Sequence, residues 1–217
     1  MAKTILTPVQ KQILQTLSTD KAFVKNFYLT GGTALSEFHL HHRISEDLDF
    51  FSQKEIDKIW LNTISSNIAN KIKATKDIQE SFNRNLVFFN SGSQIIKTEF
   101  TYFPFPQINK PAIKDGIPVD SELDIAVNKF FTIYQKPSAR HFVDLFLLLS
   151  TKKYSWKQLK KLARAKFDTN IDPIQLGSQL VKVKDISDLP KMLINLPEEK
   201  WRKYFIQKAK ELKAEIF

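Results

Sequence analysis

Tyr28-Leu29-Thr30-Gly31-Gly32-Thr33-Ala34-Leu35, followed by Arg43-Ile44-Ser45-Glu46-Asp47-Leu48-Asp49-Phe50-Phe51, is the stretch on which the fold of this 217-residue chain turns. Phe27 to Thr30 reads as a short strand that breaks at Gly31-Gly32, and Thr33 to Leu40 as a helix starting directly after the glycines. Glycines at such a junction let the backbone approach a ligand closely, because no Cβ intervenes. The free N–H groups of the following helix, together with its dipole, favour an anion such as a triphosphate. Taken alone, a Gly-Gly pair is more often a plain turn.

The acidic half carries more. Leu48 to Phe51 reads as a strand, and residues two apart on a strand point to the same side. Ser45, Asp47 and Asp49 therefore share a face, while Leu48 and Phe50 point into a core. Two carboxylates about 7 Å apart at their Cα atoms can converge on a hard divalent cation such as Mg²⁺ or Mn²⁺. Two unrelated acids on a solvent-facing edge would look the same. Two-metal phosphoryl transfer calls for a third acid. Glu99 is the best candidate, since alternation in Ile96 to Thr101 places Lys97, Glu99 and Thr101 on one face and Ile96, Thr98 and Phe100 on the other. An ordinary surface strand with a Lys/Glu face is the competing explanation.

Outward from this stretch, Thr7-Pro8 reads as a helix start, with Val9, Ile13, Leu14 and Leu17 at helical spacing. Lys54 to Lys73 has a helical stripe. Leu86 to Phe89 and Gln94 to Phe103 read as two strands around the Asn90-Ser91-Gly92-Ser93 turn. Pro104, Pro106, Pro111 and Pro118 mark an irregular connection. The remainder reads as helices over 121–135, 138–150, 155–166, 172–183 and 197–215. This divides the chain into a mixed α/β part, 1–118, and a helical part, 119–217.

The absence of cysteine excludes disulfides and thiolate chemistry, and with them any cysteine-based zinc site. The N-terminus lacks the apolar core of a signal peptide, and the most apolar run, Leu145 to Leu149, is far too short to span a bilayer, so a cytoplasmic protein without a membrane partner is expected. The net charge is +10. Residues 151–217 hold 16 Lys and Arg against 8 Asp and Glu, whereas the first 150 hold 17 against 15. A basic surface attracts polyanions, although a solvated lysine-rich surface is the commoner meaning of such a balance. Tyr154 and Trp156 flank Lys152, Lys153, Lys157, Lys160 and Lys161, where aromatics could stack on bases, but a Trp packed between helices is favoured. The last helix presents Arg202, Lys203, Lys210 and Lys213. Glu37, His39, His41 and His42 cluster, but the adjacent histidines would face different ways on a helix.

The two quoted segments closely resemble the first motif of the AbiEii/AbiGii nucleotidyltransferase-toxin family, within the DNA polymerase β-like superfamily. Asp124-Ile125-Ala126-Val127-Asn128-Lys129, with Arg140-His141-Phe142-Val143-Asp144-Leu145-Phe146, looks like its downstream motif, a helical Lys followed by Arg-x-x-x-Asp-Leu. The motifs frame residues 28 to 146, about half the chain. The resemblance implies an α+β fold: a polymerase β-like core with a mixed sheet and flanking helices, then a helical C-terminal region completing the site. It also implies roles. Gly31, Gly32 and Thr33 would hold the triphosphate, helped by Ser45. Asp47 and Asp49, with Glu99 where the superfamily more often has Asp, would bind Mg²⁺. Lys129 would neutralise nucleotide phosphates, Asp144 would act in or beside the site, and Arg140 would bind phosphate or orient Asp144. The expected activity is transfer of a nucleoside monophosphate from an NTP to RNA, such as the 3′ end of a tRNA, by a toxin with a cognate antitoxin. Transfer to a protein hydroxyl, and a non-catalytic module that binds nucleotide or RNA, remain alternatives.

Overall fold

The computed structural model describes residues 4–92, 94–151 and 153–215, so Met1 to Lys3, Ser93 of the expected turn and Lys152 of the basic stretch lie outside the described residues. The chain separates into two compact units, Met1–Ser121 and Glu122–Phe217. The fold is α+β: a mixed sheet with flanking helices, then a helical C-terminal region.

In the first unit, helix α1 (Pro8–Ser18) begins as its sequence dictates. Thr7 caps it, accepting from the Gln10 N–H while the Gln10 side chain accepts from the Thr7 N–H, with Pro8 in the first turn. A short helix α2 (Lys21–Asn26), capped by Asp20, leads into strand β1 (Tyr28–Thr30). Helix α3 (Gly31–Leu35) starts on the glycine pair itself, two residues earlier than the pattern suggests, and Gly31 takes a left-handed φ of 72° as the chain turns out of β1. It runs into a π-helical stretch, Ser36–Leu40, that the sequence pattern does not announce. Then follow β2 (Leu48–Ser52), α4 (Lys58–Ile72, capped by Asp57), β3 (Thr75–Ser81), β4 (Arg84–Asn90), β5 (Ile95–Tyr102), β6 (Ala112–Lys114) and β7 (Ile117–Val119).

The strands form one sheet in the order β3-β4-β5-β2-β1-β7-β6. β1 pairs antiparallel with β2 and parallel with β7, and β2 pairs parallel with β5. Three strands were not expected. β3 is almost wholly exposed and polar, so it shows no apolar alternation. β6 and β7 lie inside the proline-rich connection. They are joined by Asp115-Gly116, both at positive φ, the signature of a tight two-residue hairpin. The buried face of the sheet is aromatic: Phe23 meets Phe50, Phe50 meets Phe100, and Phe27 stacks on Trp60, with ring centroids 5.1, 5.1 and 4.8 Å apart.

The second unit contains α5 (Glu122–Gln135), α6 (Ala139–Ser150), α7 (Trp156–Phe167), α8 (Pro173–Val181) and α9 (Glu198–Glu211). Ser155 and Asp172 cap α7 and α8. Phe142, Trp201 and Phe205 form its core, and Trp156 rests its ring on Phe130 at 4.9 Å. Among the described residues no helix is long and apolar enough to cross a membrane.

Candidate active site

The site begins with the pairing of β1 and β2. Thr30 lies opposite Asp49, so the chain leaves β1 into α3 directly over the acidic strand. The approach is close. A Cβ on Gly31 would lie 2.5 Å from Asp49 Oδ2, and one on Gly32 would lie 2.5 Å from an Arg43 guanidinium nitrogen and 2.7 Å from Ser45 Oγ. The glycines therefore make room for the side chains of the acidic segment as much as for any ligand. Thr33 is fully buried, and its hydroxyl donates to the Asp47 carbonyl, tying the segment just before β2 to the helix. Thr30 does not cap α3; its hydroxyl donates to Asp120 Oδ2 at 2.7 Å, so the first turn's N–H groups have no side-chain cap.

The polar face of the sheet extends through the other pairings. Asp49 lies beside Glu99 in parallel register, and Arg84 lies opposite Thr101. Leu48, Phe50, Thr98 and Phe100 are fully buried on the opposite face, as the alternation requires. Lys97 Nζ is 2.9 Å from Asp47 Oδ2. Arg84 grips Glu99 with two hydrogen bonds of 2.7 and 2.6 Å, and Thr101 donates to the same carboxylate. Burial opposes the charge on Glu99. The hydrogen bonds from Arg84 and Thr101 and the charges of Arg84 and Lys97 outweigh it, holding the carboxyl below its ordinary range. The hydrogen bond to Glu99 leads a reciprocal rise at Arg84, to which the charges of Glu99 and Asp49 add.

Asp47 and Asp49 suit a hard divalent cation: both are half-buried oxygen donors, and the space before Asp49 is one that a single Cβ would fill. Among the described residues no three His, Cys, Asp or Glu side chains converge as a metal cage, because Glu99 is turned onto Arg84. In the histidine cluster, His39 and His41 spend ring nitrogens on the carbonyls of Asp120 and Ser36.

Lys129, Arg140 and Asp144 lie in the second unit. Lys129 Nζ sits 2.6 Å from Asp144 Oδ2, with Asp144 completely buried and Lys129 nearly so, while Arg140, one turn before Asp144 on α6, is exposed. A second buried pair, Lys166 with Asp124 at 2.8 Å, ties α7 to α5. Sequence reasoning missed that pair and Arg84. Nothing local marks Arg84, since its partner arrives from another strand. Lys97 was visible in the alternation that exposed Glu99.

Comparison with known proteins bears on the family and the fold. The family described as "Nucleotidyl transferase AbiEii toxin, Type IV TA system" matches residues 12–214. An uncharacterized protein of Aquifex aeolicus is 32% identical over 190 residues, covering 86% of this chain and 87% of the relative. Among solved structures, JHP933 from Helicobacter pylori is similar with a TM-score of 0.59 and 21% identity, over 95% of this chain and 90% of that one. A second H. pylori chain, presented as a candidate nucleotidyltransferase, reaches 0.60 and 22%, over 95% and 92%. At that identity the likeness speaks for the fold.

Proposed function

This chain belongs to the AbiEii nucleotidyl transferase toxin family, and from that premise we propose that it moves a nucleoside monophosphate from an NTP to an RNA hydroxyl in a metal-dependent reaction. The observation that carries the reading is the contact of the glycine pair with the acidic segment, Gly31 against Asp49 and Gly32 against Ser45. It sets an uncapped run of backbone N–H groups beside the Asp49 carboxylate, the Ser45 hydroxyl and the Arg43 guanidinium, which suits a triphosphate held next to a cation.

In this reading the N–H groups of Gly31, Gly32 and Thr33, with the Ser45 hydroxyl, hold the triphosphate. Asp47 and Asp49 hold Mg²⁺ or Mn²⁺, which when bound withdraws charge from the phosphate oxygens. Glu99 joins them only on leaving Arg84. The acceptor hydroxyl gives up its proton to water as its oxygen attacks the α-phosphorus, the bond from the α-phosphorus to the bridging oxygen of the β-phosphate breaks, and pyrophosphate leaves. Lys97 beside Asp47 is a further cation on the same face. Lys129, Arg140 and Asp144 come to this proposal from the family resemblance. For Lys129 to reach a phosphate it must give up Asp144. The excess of Lys and Arg after residue 150 supports RNA as acceptor, and the toxin family supports a cognate antitoxin as partner.

The test is a purified-protein assay with Mg²⁺, labelled NTPs, total tRNA and, separately, protein acceptors. Label is expected in tRNA, with at least a ~10²-fold loss of rate on Asp47→Ala or Asp49→Ala. Label surviving both changes would sink the site. Label in protein alone would replace the acceptor, and NTP binding without pyrophosphate release would mark a binding module.

A further inference from the structure

Lys157, Lys160, Lys161 and Arg164 recur at helical spacing on α7 and so share one face. They line an open groove of about 800 Å³ together with Asn170 and two carboxylates, Asp168 and Glu215, so four cations face two acids there. The opposite face of α7 is fixed: Leu159, Ala163 and Phe167 are buried, and Lys166 makes its ion pair with Asp124. The cations thus stand on a helix that cannot easily roll. Lys160 is paired with Glu215, while Lys157, Lys161 and Arg164 have no carboxylate partner among the described residues.

Spacing and chemistry point to one class of ligand. At about 1.5 Å of rise per residue, Lys157 to Arg164 spans about 10 Å, and a nucleic-acid strand offers a phosphate about every 3.4 Å of rise, so about three phosphates fit the face. Base reading is not provided for. Trp156, the aromatic at the groove, is turned inward onto Phe130 and Phe205, with centroids 4.9 and 6.3 Å away. We propose that this groove docks the phosphodiester backbone of the RNA acceptor without regard to its sequence. The proposal rests on RNA being the acceptor.

The test measures binding apart from catalysis, by fluorescence anisotropy of labelled RNA with the full chain across a salt series. Wild-type protein should bind mixed-sequence RNA with a log–log salt slope of about −2, from ~0.7 per phosphate over about three contacts. The triple variant Lys157→Gln/Lys161→Gln/Arg164→Gln should bind at least ~10-fold more weakly with a slope near zero. Glu215→Gln, which frees Lys160 without touching the helix, should bind about two- to three-fold more tightly. Asp47→Ala should bind RNA like wild type, so a failed transfer assay and a failed docking assay stay distinguishable. The proposal falls if the triple variant binds like wild type, or if the charge-matched Lys203→Gln/Lys210→Gln/Lys213→Gln weakens binding as much. It falls too if polyglutamate of equal charge binds as tightly as RNA, which would make the groove a seat for an acidic polypeptide.

Discussion

A methyl group added at Gly31 has nowhere to go. It would meet Asp49 Oδ2 at 2.5 Å, and the residue sits at φ 72°, where an L side chain is strained. Gly31→Ala should therefore cost about 1–2 kcal/mol for the left-handed backbone and a further ~1–3 kcal/mol for the clash, and should displace Asp49 and abolish transfer. Gly92 is the control: its φ is 83° with nothing within 4 Å of an added Cβ, so Gly92→Ala should show the backbone cost alone with activity intact. Urea midpoints and transfer rates of the two variants check this. Glu99 gives a pH-dependent counterpart. Its carboxyl is held below the ordinary range when folded, so its stabilisation is complete above the unfolded value and disappears as pH falls through the lowered folded value. Glu99→Gln should cost about 1–3 kcal/mol near neutral pH, and the gap to wild type should close as pH falls through and below the ordinary carboxylate range. A pH-independent gap would show that the fork with Arg84 is not its source. At this scale the sequence was readable wherever a period of two sufficed: Lys97, Glu99 and Thr101 share a face as their alternation requires. It was silent on Arg84 and on what the glycines touch, because both depend on which strand lies beside which.

Elements joined by buried charge behave differently from those joined by hydrocarbon. α5 and α6 share the Lys129–Asp144 pair, and removing one partner strands the other away from water. Lys129→Met or Asp144→Leu alone should destabilise by about 3–5 kcal/mol, whereas the double variant should recover most of that loss. Denaturant melts of all three decide it; a double variant as unstable as the singles would contradict the shared cause. A stable double variant would also expose any separate duty of Lys129 toward phosphate, as a transfer rate that stays low after folding is restored. The helices of the second unit were legible because each carries a 3.6-residue apolar stripe, and three of them start at Ser155, Asp172 or Pro197. β3 escaped because an exposed edge strand needs no apolar face, and β6–β7 because strands of three residues set among prolines are too short to show alternation.

For the whole molecule, the chain holds an α+β unit that carries the acidic site and a helical unit that carries most of the positive charge, each with its own aromatic core. Composition could show that charge imbalance but not the groove into which α7 gathers part of it. The order of the strands has a consequence in time. β1 lies between β2, which follows it closely, and β7, which completes the sheet across a separation of 90 residues, marked by the bond from Thr30 to Asp120. β2 in turn waits for β5 to cover its other edge, and pairings so distant along the chain form slowly because loop closure precedes their reward. A ribosome that has released only the first hundred residues has therefore made the acids and the glycines but not the sheet that aligns them, so the acidic face of this unit is complete only once β7 has emerged as well.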